Sequence, residues 1–198
     1  MKAVKLQLAN ATLLNPKAPQ WSKVPSEDIA LAGTPLHEQP SRYVRTVWAG
    51  KQIGAVRLVR VQAAHNSQSI FFRLDWRDDT QNESYADGSV FPDAAAVVFP
   101  MNGAAPLDLD GAPDAPVNLW YWRAGKDESA ENLIARGLAT EEAAGKAIIE
   151  TKSRWEDGRW QVVISRPLKA PSRETAPVSS VKANKVGFAV WDGGNQER

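Results

Sequence analysis

A lysine near the C-terminus heads an otherwise apolar segment and is the residue with the clearest chemical potential. The segment, residues 185–191, reads KVGFAVW. Because residues of a strand alternate between two faces, Lys185 shares a face with Gly187, Ala189 and Trp191. An amine aligned with small and aromatic side chains is expected where it has something to bind. A surface lysine whose ammonium reaches water is the commoner case, and the pattern alone leaves both interpretations open.

The chain has few of the cysteine, histidine and methionine side chains that bind transition metals or haem iron. The chain has no cysteine and only two histidines, His37 and His65. Disulfides, thiolate-bound zinc, iron–sulfur clusters and covalently attached c-type haem are therefore excluded. Met101 is the only methionine besides Met1, and it either fills a gap in the core or offers a thioether to haem iron. A lysine ligates iron only when deprotonated, which requires a site that lowers its pKa.

The sequence lacks the motifs of nucleophilic catalysis and of nucleotide binding. No G-x-S-x-G, P-loop or G-x-G-x-x-G pattern occurs. We interpret the acidic residues of the 75–83 segment as a solvated strand end and turn rather than as a cation or acid–base site. These residues are Asp75, Asp78, Asp79 and Glu83. His65 is interpreted as a turn residue rather than a metal ligand.

Short apolar or alternating segments separated by turn residues predict an all-β fold, an antiparallel β-sandwich with a few short helices. Asp157-Gly158, flanked by Trp155 and Trp160, predicts a tight hairpin. Helical composition is limited to residues 128–136 and 140–146. The predicted strands are residues 44–48, 55–64, 69–76, 94–99, 118–123, 148–155, 160–165 and 185–191.

The length of 198 residues predicts one domain spanning residues 1–198. Residues 100–116 hold four prolines, two glycines and three aspartates, and we expect them to form a long functional loop. Residues 1–40 are expected to form an arm that wraps around the sandwich or contacts a partner. With a net charge of +1, electrostatic capture of nucleic acid or of an anionic membrane is not expected.

No apolar run approaches the roughly 20 residues that cross a bilayer. The first residues lack the apolar region of a signal peptide, so the protein is expected to be cytoplasmic or to have lost its leader.

Four segments together resemble the γ subunit of ethylbenzene dehydrogenase and its relatives in dimethylsulfide dehydrogenase, selenate reductase and chlorate reductase. They are FPDAAAVVFP at residues 91–100, PVNLWYW at 116–122, GRWQVVISR at 158–166 and KVGFAVWDGGNQER at 185–198. The resemblance extends from about Val56 to Arg198. It implies a β-sandwich that holds one b-type haem without a covalent bond and takes no part in catalysis.

The family's axial iron ligands are a lysine and a methionine, and the resemblance places the lysine at Lys185. The family's methionine precedes a glycine in the loop, and an alignment without gaps puts Asp110 at that position, before Gly111. Either the loop takes another course and Met101 reaches the iron, or the site has another sixth ligand or an open position. We expect Met101, because the chain offers no other soft donor.

Aromatic walls and a cation for a propionate would complete such a pocket. We expect the walls to include Phe99, Trp120, Trp122 and Trp191. Arg123 is the expected cofactor contact, with Arg166 as the alternative.

The resemblance also implies partners and a compartment. The family's γ subunits work with an iron–sulfur β subunit and a molybdopterin α subunit, and exchange electrons with a soluble c-type cytochrome in the periplasm. A chlorate or selenate reductase is the expected complex. The alternative from composition is a carbohydrate-binding β-sandwich, which would display Trp120 or Trp122 on an exposed platform.

Overall fold

The computed structural model describes residues 1–86, 88–125, 129–145, 148–170 and 174–197. The two α-helices within these ranges are α1 (Asn10–Leu14) and α2 (Arg42–Trp48), and short 3₁₀ helices lie at Pro19–Lys23, Leu107–Leu109 and Gly193–Asn195. The strands are β1 (Val4–Lys5), β2 (Ser26–Ala30), β3 (Leu58–His65), β4 (Ser69–Arg77), β5 (Ala94–Pro100), β6 (Val117–Arg123), β7 (Ser129–Ala135), β8 (Glu142–Ala143), β9 (Glu150–Glu156), β10 (Arg159–Pro167) and β11 (Gly187–Trp191).

The strands form two sheets, and the predicted all-β sandwich is confirmed. The first sheet has the order β1-β3-β4-β10-β9, with β2 also paired to β3. The second sheet has the order β11-β5-β6-β7-β8. All of these pairs are antiparallel except β1 with β3. The β9–β10 hairpin turns at Asp157 (φ 52°) and Gly158 (φ 69°), the left-handed pair that a two-residue hairpin loop requires.

The core lies between the inner faces of the two sheets and follows the two-residue period of the strands. Val162 and Ile164 of β10 face Val97 of β5 and the ring of Trp120 in one buried cluster. Val186, Phe188 and Val190 pack against the same cluster. The other face of β11 carries Ala189 and Trp191, which pack on the outer side of the second sheet. The alternation predicted for residues 186–191 is thus present.

Each sheet also carries a smaller apolar cluster on its outer face. The N-terminal arm covers the first sheet, where Leu13, Trp21 and Val24 pack on Phe71 and Val163. The 101–116 loop covers the second sheet, where Ala105 and Leu107 pack against Val98, Val117 and Leu119. The arm residues that pair with the first sheet or pack on it are therefore part of the folded domain.

Three segments differ from their predicted structure. Residues 44–48 belong to α2, which begins after Ser41, whose hydroxyl accepts a hydrogen bond from Val44 N. Val44 and Trp48, four residues apart, are the buried residues of that helix. The strand predicted for residues 44–48 is therefore wrong, because a short apolar segment does not distinguish a strand from a helix.

The two segments with helical composition are strands. Within 128–136, residues 129–135 form β7, and within 140–146, Glu142–Ala143 form β8. Pairing of β7 along the whole length of β6 outweighs the helix propensity of its alanine, glutamate and leucine residues. Residues 128 and 146 lie outside the described residues. The described part of the chain contains no helix long and apolar enough to span a bilayer.

Candidate functional site

The β5–β11 pair brings Met101 and Lys185 to the same end of the sandwich. Gly187, at the start of β11, pairs with Val98 of β5. Lys185 lies two residues before Gly187, and Met101 follows Pro100, the last residue of β5. Because β5 and β11 are antiparallel neighbours, the residue after the last residue of β5 and the residue before the first residue of β11 lie at the same end of the sheet. Two residues far apart in sequence thus lie at the same end of the second sheet.

Lys185 reaches the 101–116 loop with its amine. Its Nζ donates a hydrogen bond to the carbonyl oxygen of Ala105 at 2.9 Å. The strand predicted for residues 185–191 begins only at Gly187, so Lys185 lies before β11, and the residue is exposed. The loop, rather than the strand, supplies the surroundings of the amine.

Met101 begins the loop on the inner side of the sheet. Its backbone N–H donates to Pro116 O at 3.0 Å, which closes the two ends of the loop against each other. The half-buried side chain packs against the main core between the sheets. At this end, the Met101 thioether therefore lies on the core side of the second sheet, and the Lys185 amine lies on the side covered by the loop.

Asp110, which stands at the family's methionine position, lies at the end of the 3₁₀ helix of the loop. It has a left-handed backbone (φ 51°), and its carbonyl accepts a hydrogen bond from Gly137 N at 2.9 Å. Burial, with a smaller contribution from Glu141, raises the pKa of the Asp110 carboxyl group to about 6. A carboxyl group that burial favours in the neutral form is a poor replacement for a thioether ligand.

An aromatic cluster lies inside the sandwich at the same end. The rings of Phe99 and Trp120 have centroids 4.5 Å apart. Phe72 lies 5.9 Å from Phe99 and 6.0 Å from both Trp120 and Phe188. The cluster joins three strands of the second sheet to β4 of the first. Phe72 and Phe188 were not predicted as members of this cluster, although the inward positions of their strands identify both.

Arg166 of β10 is a buried cation with a face of Trp120 beneath it. The residue is 1% exposed, and its Cζ lies 4.7 Å from the Trp120 ring centroid. Its Nη1 donates to Ala176 O at 3.1 Å, whereas Nε has no hydrogen-bond partner. No carboxylate of the described residues lies within 4.0 Å of this guanidinium. Burial lowers the pKa of Arg166 to about 10, which expresses the cost of holding its charge in the core.

A buried amide pair fixes the segment that covers Arg166. Asn118 Nδ2 donates to Asn132 Oδ1 at 2.7 Å, and Asn118 Oδ1 accepts from Trp120 Nε1 at 3.0 Å and from Ala176 N at 3.1 Å. Asn132 Nδ2 donates to Ala144 O at 2.7 Å and to Glu174 O at 2.8 Å. The segment after β10 is thereby held against the second sheet beside the aromatic cluster.

Two other predicted cofactor contacts, Arg123 and Trp191, lie at the opposite end of the second sheet. Arg123 pairs with Ala94, at the end of the β5–β6 ladder farthest from Pro100. Its Nη1 donates to Tyr85 Oη at 3.2 Å. The ring of Trp191, which pairs with the same Ala94, packs on Tyr121 at 5.8 Å on the outer face.

Trp122 also belongs to that end, but inside the sandwich. It packs on Trp160 at 5.0 Å and on Trp76 at 6.1 Å. Both Trp120 and Trp122 are 0% exposed. The exposed tryptophan platform expected for a carbohydrate-binding module is therefore wrong for these two residues.

The acidic residues of the 75–83 segment have different environments. Asp75 accepts hydrogen bonds from Arg159, and exposed Asp79 pairs with Arg77 at 3.0 Å. Asp75 and Asp78 are only 8% and 5% exposed, so the interpretation of the segment as solvated is wrong for both residues. His65 is the last residue of β3 rather than a turn residue; burial, and then Lys5, lower its pKa.

Comparison with known proteins places the chain in a family. The sequence profile of the ethylbenzene dehydrogenase family matches residues 18–147 and 133–198. The chain belongs to this family. It is 36% identical over 195 residues to the chlorate reductase γ subunit of Ideonella dechloratans, covering 98% of this chain and 77% of that protein. It is 27% identical over 193 residues to the dimethylsulfide dehydrogenase γ subunit of Rhodovulum sulfidophilum, covering 90% and 67%.

A third relative is named for its haem. The chain is 32% identical over 185 residues to a candidate respiratory nitrate reductase heme subunit, ORF7, of Haloferax mediterranei. The match covers 92% of this chain but 62% of that protein, so the chain spans less than two thirds of its length. Among solved structures, a candidate carbohydrate-binding protein from Bacteroides uniformis superposes with a TM-score of 0.51 at 10% identity, covering 97% of this chain and 84% of the other. At this identity the likeness concerns the fold alone.

Proposed function

We propose that this protein is a non-catalytic electron-transfer subunit that carries one b-type haem. Its relatives are named as a heme subunit and as γ subunits of chlorate reductase and dimethylsulfide dehydrogenase. The structural observation that supports the proposal is that Met101 and Lys185 lie at the same end of the β5–β11 pair, where the Lys185 amine contacts the 101–116 loop.

The residues at this end fit a haem by their chemistry. Met101 and Lys185 would supply the two axial ligands, a thioether and a deprotonated amine. Phe99 and Trp120 would contact the macrocycle, together with Phe72 and Phe188. Arg166 is the better partner for a propionate than Arg123. It is buried beside this aromatic cluster with no carboxylate of the described residues next to it, whereas Arg123 lies at the far end of β6.

When bound, the haem supplies one-electron redox chemistry, and the protein supplies its ligands and its surroundings. The apolar walls exclude water, which favours the less charged, reduced state of the group. The loop holds the Lys185 side chain through Ala105 O, and ligation requires that this hydrogen bond be exchanged and the amine lose a proton.

We infer the partners from the family resemblance. An iron–sulfur subunit and a molybdopterin subunit would deliver or accept electrons on one side, and a soluble c-type cytochrome on the other. We place the complex in the periplasm and favour a chlorate or selenate reductase, because the chlorate reductase γ subunit matches 98% of this chain. With a net charge of +1, docking is expected to depend on local charge rather than on the overall field.

The test is an absorption spectrum of the haem-loaded chain before and after dithionite. The wild type should show a Soret band and a sharp α band on reduction, and a pyridine haemochrome assay should report b-type haem. Lys185→Ala should abolish or shift the reduced α band, because the amine ligand is lost. Lys182→Ala, which removes an exposed lysine three residues earlier, should leave the spectrum unchanged.

An unchanged spectrum in Lys185→Ala would overturn the ligand assignment. A wild-type chain that stays colourless after incubation with haem would overturn the function itself. Thermal melting of both variants shows whether the domain is folded when the spectra are taken.

The second ligand needs its own variants. Met101→Leu keeps the size of the side chain but removes the thioether, so the reduced spectrum should lose its six-coordinate form. Asp110→Met added to that variant tests the family position. Recovery of the wild-type spectrum in the double variant would show that residue 110 can also reach the iron. An unchanged spectrum in Met101→Leu would overturn the assignment of Met101.

A further inference from the structure

Three aspartates from both sheets meet at the end of the sandwich opposite Met101 and Lys185. Asp78 follows β4, Asp93 precedes β5 and Asp192 follows β11. Each offers a carboxylate oxygen, and these oxygens all lie within 4.8 Å of one another. Asp78 and Asp93 are 5% and 0% exposed. No lysine, arginine or histidine of the described residues lies within 4.0 Å of any of these carboxylates.

The surrounding donors orient the carboxylates but leave one oxygen without a partner. Asp93 accepts from Asn82 N at 2.8 Å and Trp160 Nε1 at 2.9 Å through Oδ2, and from Gly193 N at 2.9 Å through Oδ1. Asp78 Oδ1 accepts from Thr80 N at 3.1 Å. Asp78 Oδ2 is buried and has no hydrogen-bond partner. An unpaired buried oxygen in a group of like charges is costly unless a cation or a proton neutralises it.

A second group of oxygens surrounds the position where a side chain of Gly194 would begin. A Cβ there would lie 2.8 Å from Asn82 Oδ1 and 3.2 Å from both Asp192 Oδ1 and Thr80 Oγ1. Glycine therefore leaves free the space at which an amide, a hydroxyl and a carboxylate oxygen converge. The nearby ligating atoms are all oxygens, the set that hard cations prefer over zinc or copper.

We propose that Asp78, Asp93 and Asp192 bind a calcium ion, with the Asn82 amide oxygen as a further ligand. Ca²⁺ accepts six to eight oxygens at about 2.3–2.6 Å in irregular arrangements. Mg²⁺ is smaller and usually keeps several waters, which a buried site with many protein oxygens does not favour. Two positive charges would offset most of the repulsion among the three carboxylates.

The ion would join the two sheets and take no part in electron transfer. Asp78 extends from the first sheet, whereas Asp93 and Asp192 extend from the second. Asp93 and Met101 flank opposite ends of β5, which at about 3.3 Å per residue are some 25 Å apart. Removing the ion should therefore lower stability without changing the haem ligands.

The test is calcium binding by the whole chain after treatment with a chelator. Calorimetry should show one Ca²⁺ per chain, and Ca²⁺ at 100-fold above its Kd should raise Tm by about 5–10 °C. Asp78→Asn should weaken Ca²⁺ binding at least about 10-fold and remove most of the Tm rise. Asp79→Asn, an exposed neighbour outside the cluster, should respond like the wild type.

A structural role of Asp78 alone predicts a different result. If Asp78 were only structural, Asp78→Asn would lower Tm in chelator as well. If the cluster binds calcium, Asp78→Asn should unfold in chelator at no lower temperature than the wild type, because one repelling charge is gone. Asp93→Asn is a second variant with the same expected loss of calcium response. The proposal is overturned if the wild type gives neither heat nor a Tm shift with millimolar Ca²⁺, or if Asp78→Asn responds fully. An equal response to Mg²⁺ would contradict the assignment to calcium, and a shifted haem spectrum on chelation would contradict the separation of the two sites.

Discussion

Asp110 combines the burial of a carboxyl group, which is unusual for aspartate, with a backbone conformation that aspartate readily adopts. Its carboxyl group is partly buried beside an apolar cluster, and its left-handed backbone is one that asparagine and aspartate adopt more easily than most residues. The sequence comparison identified the position but not its environment. The backbone conformation explains why a short polar side chain is tolerated there.

Asp110→Asn should stabilise the protein at neutral pH and leave it unchanged in acid. The raised pKa of about 6 means that folded Asp110 keeps its proton between about pH 4 and 6, where the unfolded carboxyl group loses it. Wild-type stability therefore falls as the pH rises through this window, and the asparagine variant escapes that loss.

The expected gain in free energy of unfolding is about 2 kcal/mol at pH 8 and near zero at pH 4. Urea titrations across this pH range measure it. Asp108→Asn, at an exposed position of the same loop, is the control. A gain that does not depend on pH would mean that the charge of Asp110 is not its cause.

At the scale of elements, the alternating strands were predictable and the segments with local helical signals were not. Residues 69–76, 94–99 and 118–123 were recognised because one face of each is buried against the other sheet. The composition of residues 129–135 favours a helix, and only pairing with β6 makes them a strand. Similarly, the arm has no strong pattern, yet it pairs with β3 and packs on the outer face of the first sheet.

Trp21→Ala should test whether the arm is part of the domain. Trp21 is 3% exposed, its Nε1 donates to Asn15 O at 3.2 Å, and its carbonyl accepts from Gln62 at 2.8 Å. Removal of the ring should lower the free energy of unfolding by about 3 kcal/mol. Leu36→Ala, at an exposed position of the arm, should change it by less than about 0.5 kcal/mol.

Denaturant unfolding followed by tryptophan fluorescence measures both variants. Equal stability of Trp21→Ala and the wild type would indicate an arm that contributes little to the isolated domain.

At the scale of the whole molecule, the two ends of the sandwich hold charges of opposite sign. Within the described residues, Arg166 is a buried cation with no carboxylate beside it at the Met101 end, and three aspartates meet with no basic side chain beside them at the other. Each arrangement is costly in the isolated chain and is explained if a ligand of opposite charge occupies that end. The haem propionates and the calcium ion are the proposed ligands.

Arg166→Met should separate stability from cofactor binding. Without haem, the variant should be as stable as the wild type or more stable, because an unpaired buried charge is replaced by an apolar chain of similar length. With haem, affinity should fall at least about 10-fold, because a charge-assisted hydrogen bond contributes about 1.5–3 kcal/mol.

Arg123→Met, at the other end of β6, should keep its haem affinity and is the control for the loss of an arginine. Haem titration followed in the Soret region, with melting curves of the haem-free proteins, gives both quantities. Equal haem affinity in the wild type and Arg166→Met would remove Arg166 from the pocket.

The sequence by itself determined the all-β fold, the exclusion of cysteine chemistry and the identity of Lys185 and Met101 as candidate ligands, because residue type and two-residue periodicity are local properties. Only the tertiary structure decided which of the eight predicted residues, counting the alternative Arg166, lie at the same end of the sandwich. It places Phe99, Trp120 and Arg166 at the end of the proposed ligands Met101 and Lys185, and Trp122, Arg123 and Trp191 at the far end. The order of strands and their register set these distances, and both depend on contacts between residues remote in sequence.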